Sequence, residues 1–93
     1  MIRTFRDKLT EQIFEGESPK RLSPDISRRA LRRLIDLDNA VSPTDLMVPP
    51  SNHLEQLKGD RQGMYSIRVN DRYRICFSWR EGNAYDVEFV DYH

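Results

Sequence analysis

Residues 64–90 read MYSIRVNDRYRICFSWREGNAYDVEFV, and this stretch decides the fold class. Apolar and aromatic side chains recur at every second position: Tyr65, Ile67 and Val69, then Tyr73, Ile75, Phe77 and Trp79, then Tyr85, Val87 and Phe89. A period of two puts one set of side chains on one face of an extended chain and the alternate set on the other. Half-buried strands are therefore expected over 64–70, 72–79 and 84–90. Asn70-Asp71 and Glu81-Gly82-Asn83 separate them as turns, the second with a glycine that can take positive φ. The expected result is an antiparallel meander.

Upstream the period changes. Leu9, Ile13 and Phe14 stand at helical spacing, with Gly16 placed to end a short helix. Ser23-Pro24 supplies an N-cap hydroxyl before a proline at the first helical position, and Ile26, Ala30, Leu31, Leu34, Ile35 and Leu37 are expected on the inner face of the helix that follows. Residues 1–5 read as a short N-terminal strand, and 42–53, with Pro43, Pro49 and Pro50, as an irregular connection. The predicted architecture is α+β: an N-terminal strand and two helices packed on a small, mainly antiparallel twisted sheet. At 93 residues and 11.0 kDa, a single domain over 1–93 is expected, with a thin core and no deep cavity.

Fifteen basic and fifteen acidic side chains give zero net charge, which excludes a binder held to polyanions by its global field. The neutrality is a cancellation of blocks, with +5 over residues 20–33 and +4 over 58–80. Arg28, Arg29, Arg32 and Arg33 form either an ordinary solvated helix face or a contact for a ribosome or another partner. Cys76 is the only cysteine, which excludes an internal disulfide and a cysteine-based zinc site. His53 and His93 show no metal-ligand spacing, and there is neither a glycine-rich phosphate loop nor a serine nucleophile elbow. No metal or cofactor is expected. Charged residues interrupt the first stretch, and no apolar run approaches the ~20 residues of a membrane span, so a cytoplasmic protein without a membrane contact is expected.

The phase opposite the aromatics carries Ser66, Arg68, Arg72, Arg74 and Cys76, with Lys58 and Arg61 just before it. Such a face suits a phosphate backbone, or is simply the wet side of a sheet. Asp91-Tyr92-His93 adds a carboxylate, a phenol and an imidazole, and His53 and Glu55 precede Lys58. Acid–base groups with cationic support suit phosphodiester cleavage in which RNA supplies its own 2′-hydroxyl.

Several separated motifs also carry a resemblance. Leu57-Lys58-Gly59-Asp60-Arg61, the run from Tyr65 to Phe77, the closing Val90-Asp91-Tyr92-His93, the opening Met1-Ile2-Arg3-Thr4-Phe5 and Pro49-Pro50-Ser51-Asn52 together resemble the HigB branch of the RelE/ParE toxin superfamily, over nearly the whole chain. The resemblance implies the toxin of a type II toxin–antitoxin pair, a ribosome-dependent endoribonuclease that cuts messenger RNA in the ribosomal A site without a metal. Its implied partners are the ribosome, messenger RNA and a HigA-like helix-turn-helix antitoxin, through which alone it reaches operator DNA as a co-repressor.

The implied catalytic residues are Lys58, Arg74, Asp91, Tyr92 and His93. His93 exchanges protons, Asp91 orients it or assists as base, Tyr92 positions or stacks the substrate, and Lys58 and Arg74 stabilise phosphate charge. Arg61, Arg68 and Arg72 are candidate substrate contacts. The family often has a histidine three residues before Lys-Gly-Asp, where this chain has Glu55, with His53 two residues earlier. Either Glu55 is an alternative base, His53 reaches in, or one histidine suffices. The alternative reading is a ParE-like toxin that binds and poisons DNA gyrase without nuclease activity.

Overall fold

Caps, more than long apolar runs, set the helices. In the computed structural model, which describes residues 1–91, Asp7 is extended and its carboxylate accepts from the Thr10 amide, opening α1 (Lys8–Phe14). Glu15 closes the helix, and Gly16 follows at φ 89°, where a side chain would be strained. Ser23 Oγ accepts from the Ile26 amide at 3.2 Å and Pro24 occupies the first position of α2 (Pro24–Asn39). Ser27, Ala30, Leu34 and Leu37 make one buried stripe along it. Ile35, expected on that inner face, is instead 45% exposed, because it stands one residue beyond Leu34 and thus about 100° further round the helix.

Four strands follow: β1 (Glu55–Gln56), β2 (Met64–Arg68), β3 (Tyr73–Arg80) and β4 (Asn83–Asp91). They pair antiparallel in chain order, so the expected meander is present with a two-residue strand added at its edge. Residues 1–5 do not form a continuous strand. They run parallel to β4 through isolated bridges at Ile2–Ala84 and Phe5–Val87, and the Ile2 amide also donates to Asp38 of α2 at 2.9 Å.

One sheet face carries Ile67, Ile75, Phe77, Val87 and Phe89 onto Ile13, Ala30, Leu34 and Leu37. Each fully buried aliphatic or phenyl side chain there contributes about 1.5–3 kcal/mol relative to exposure. Thr10 ties helix to sheet: its buried hydroxyl donates to Asp7 at 2.6 Å and accepts from the Phe89 amide at 2.9 Å.

Tyr85 departs from the expected alternation. A register shift opposite Cys76 and Ser78, with Asp86 at φ 54°, inserts an extra residue into β4. Ala84 therefore takes the core position, fully buried, while Tyr85 pairs with Ser78 on the other face, its ring under the Arg80 guanidinium at 4.2 Å. The connection expected to be irregular contains two short 3-10 turns, Pro43–Met47 and Pro50–Asn52. Asn52 is fully buried and its amide donates to the Leu46 and Val48 carbonyls, at 3.2 and 3.4 Å, holding the two turns together.

Candidate active site

Register alone aligns a row of side chains on the sheet face away from the helices. Glu55 of β1 lies opposite Ser66 of β2, Ser66 opposite Cys76 of β3, and Cys76 opposite Glu88 of β4. Directly opposed residues share a face, so chemistry scattered over more than thirty positions becomes a band across the sheet.

Arg74, one step along the same face from Ser66 and Cys76, is the anchor of this band. The residue is only 9% exposed, and its guanidinium donates to Ser66 Oγ at 2.9 Å, to the His53 carbonyl at 2.5 Å and to the Ser66 carbonyl at 3.3 Å. The Glu55 carboxylate stands 3.9 Å away with its side chain half exposed. A planar fork with several donors can span a side chain and two backbone carbonyls at once, which a lysine ammonium at one point cannot. His53 holds a left-handed conformation at φ 44° that presents its carbonyl to Arg74. The connection and the sheet floor are thereby locked together at the residues that precede Lys58.

Lys58 is exposed and begins the 3-10 turn Gly59–Arg61, whose Gly59 at φ 68° needs the freedom of glycine. The turn brings Arg61 back over the sheet, with Nη1 at 3.7 Å from Cys76 Sγ. Burial pushes the Cys76 thiol above its ordinary range and Glu88 adds to this, while Arg61 and Arg74 pull the other way. Raised and buried, the thiol is a poor nucleophile and acts as packing under the charged groups.

Arg72 and Asp91 form a separate pair at the end of β4. Arg72 grips both carboxylate oxygens, Nε to Oδ1 at 3.2 Å and to Oδ2 at 3.1 Å, with Nη2 to Oδ2 at 2.8 Å, and its guanidinium lies 5.2 Å from the centre of the Tyr73 ring. The hydrogen bonds with Asp91, and then its charge, raise the Arg72 pKa further. Arg68 stands opposite Arg74 in the register of β2 and β3; its side chain pairs with Asp71, and its backbone carbonyl accepts from Arg33 Nε of α2 at 3.0 Å.

The structure thus brings Glu55, Arg74 and the backbone of His53 together and sets Arg61 against Cys76. It couples Arg72 to Asp91, sets Lys58 at an exposed turn and pairs Arg68 with Asp71. Tyr92 and His93 lie outside the described residues. Glu88 escaped the sequence reading; it is opposite Cys76 and its carboxylate lies 3.8 Å from Arg6, and its position in the alternate phase to Val87 and Phe89 was the available signal. Among the described residues no three His, Cys, Asp or Glu side chains are grouped to hold a metal ion, and no helix is long and apolar enough to cross a membrane.

Residues 3–93 match the model of the RelE-like toxin of the type II toxin–antitoxin system HigB. The chain is 42% identical over 94 residues to Toxin HigB-1 of Vibrio cholerae, covering 100% of this chain and 98% of the relative. It is 33% identical over 93 residues to Endoribonuclease HigB of Proteus vulgaris, with both chains covered in full, 100% each. In structure it resembles the toxin fold in the YoeB–YefM toxin–antitoxin complex of Staphylococcus aureus, with a TM-score of 0.65 at 14% identity over 100% of this chain and 98% of that one. The YoeB/ParE toxin of Agrobacterium tumefaciens matches with a TM-score of 0.52 at 17% identity over 96% of each chain.

Proposed function

This chain belongs to the HigB-like family of RelE-like toxins of type II toxin–antitoxin systems, and from that premise we propose that it is a ribosome-dependent endoribonuclease that cuts messenger RNA in the ribosomal A site, arresting translation and growth. The observation that carries this reading is Arg74 fixed on the sheet with Glu55 at 3.9 Å: a preorganised cation beside a carboxylate. A relative of the same length is named an endoribonuclease, which supports the same chemistry here.

In the proposed reaction a base removes the proton of a 2′-hydroxyl, whose oxygen attacks the adjacent phosphorus. The bond from phosphorus to the 5′-oxygen breaks, and an acid returns a proton to that oxygen, leaving a 2′,3′-cyclic phosphate and a 5′-hydroxyl. Glu55 is the base supplied from β1, where the family often has a histidine; His53, whose carbonyl is taken by Arg74, shapes the connection. His93 is the proton-exchanging partner, Tyr92 the stacking ring, and Asp91 their orienting carboxylate. Lys58 and Arg74 counter the charge that develops on the phosphoryl oxygens, with Arg61 beside them. Arg72 acts through Asp91 as a positioning residue, and Arg68 as an outer phosphate contact.

Zero net charge fits this assignment. A protein with local basic blocks and no global field does not titrate onto every transcript, and depends on the ribosome to present its substrate. A HigA-like helix-turn-helix antitoxin is the proposed partner, with which the toxin represses its operon in the cytoplasm.

The test is induction of the wild type, Glu55→Ala and His93→Ala, followed by growth and by sequencing of RNA 5′ ends. Cleavage in translated messages by the wild type, reduced at least about a hundredfold in each variant, is expected for acid–base groups. DNA breaks without messenger cleavage would overturn the assignment in favour of gyrase poisoning.

A further inference from the structure

The outer surface of α2 has a feature that the core covers only in part, through Leu31, and that the proposed catalysis does not use. Ile35 is 45% exposed, and with half-buried Leu31 it floors a groove rimmed by Arg28, Arg29 and Arg32. Asp25 sits at one end, taken up by Arg28 at 3.4 Å and Arg29 at 3.7 Å, and Asp36 at the other. Beyond the helix, Val41, Met47 and Val48 are 80%, 59% and 77% exposed, and the cleft that holds Val48 shares Arg32 and Asp36 with the first groove.

Solvation accounts for the arginines and leaves the apolar side chains unexplained. A contact made only to RNA phosphates would use the guanidiniums and likewise leave Ile35 and Val48 without a partner. An apolar floor inside an arginine rim is the composition of a protein-binding surface, and the guanidinium fork matches carboxylates. The surrounding segment, +5 over residues 20–33, fixes the sign of the complement.

We propose that this surface docks an acidic, amphipathic segment of the antitoxin, whose apolar side chains cover Leu31 and Ile35 and whose carboxylates pair with Arg28, Arg29 and Arg32. The inference rests on the toxin–antitoxin reading above and adds where the partner sits. Because α2 lays its inner stripe on the core face of the sheet, a segment on its outer surface touches neither Glu55 nor Arg74 on the far face.

The experiment titrates the purified chain with the second protein of its operon, using Ile35→Asp and Arg32→Glu, both at exposed positions, with circular dichroism to verify folding. Each variant is expected to weaken binding roughly tenfold or more. Wild-type binding should weaken with added salt, and each variant alone should still arrest growth while the antitoxin no longer relieves it. Unchanged affinity of folded Ile35→Asp would overturn the proposal. So would a short single-stranded RNA that perturbs the α2 amides and competes with the antitoxin, or self-association of the chain through Ile35. If the wild type does not bind its operon partner at all, the toxin–antitoxin reading fails as well, an outcome distinct from binding that ignores the variants.

Discussion

Replacing Arg74 by alanine should cost the fold far more than replacing any other basic residue of the sheet face. Its guanidinium makes three hydrogen bonds, to Ser66 Oγ, the Ser66 carbonyl and the His53 carbonyl, and faces Glu55 at 3.9 Å. A charge-assisted hydrogen bond contributes about 1.5–3 kcal/mol, while the half-exposed Glu55 carboxylate adds little because solvent screens it. A domain of this size has roughly 5–14 kcal/mol in all. At about 4–8 °C per kcal/mol, the Arg74→Ala melting temperature should fall by at least about 6 °C. Arg74→Lys keeps the charge without the fork and should fall between the two. Thermal unfolding by circular dichroism measures the loss, and amide exchange should show protection disappearing around His53 and β1, because Arg74 ties that connection to β2. A folded Arg74→Ala protein that melts within about 2 °C of wild type yet cleaves no RNA would refute this reasoning. Arg74 would then contact substrate without anchoring the connection.

Other consequences follow from the same contacts. Thr10→Val keeps the shape but leaves the buried Phe89 amide without its acceptor, so stability should drop by about 1–3 kcal/mol in a denaturant titration. Cys76 has a raised pKa in the folded protein, so its contribution to stability is intact below the ordinary thiol value of about 8.5 and is lost as pH rises beyond it. Wild-type stability should therefore decline more steeply than that of Cys76→Ala between about pH 8 and 10, as followed by melting temperature. Arg72→Ala removes an exposed clamp and should barely move the melting temperature while lowering the cleavage rate. An unchanged rate would remove Arg72 from its positioning role.

The strands from Met64 onward were legible because a period of two survives even in a thin core, α2 because Ser23 caps it locally, and α1 because Leu9, Ile13 and Phe14 keep helical spacing, although its cap at Asp7 was not foreseen. Tyr85 was misplaced because alternation counts residues and cannot see the extra one inserted at Asp86. Ile35 was misplaced because an apolar residue at the margin of a stripe is assigned by composition, while the actual contact angle depends on what the helix packs against. By alternation alone Arg74 is one of several arginines on the wet face, and only the resemblance singles it out. Its burial depends on the His53 carbonyl, which is far away in sequence and reaches the sheet only through the two turns around Asn52.

Local and periodic information was thus enough to determine the class of fold, the two faces of the sheet and the residue types available for acid–base and phosphate chemistry. Only tertiary structure decided which of those residues meet. Cross-strand register and backbone carbonyls set the outcome, binding Arg72 to Asp91 and Arg74 to Ser66 and His53, while Arg68 pairs with Asp71. Hydrogen bonds act over about 3 Å, and a sequence does not specify distances of that order between positions twenty residues apart.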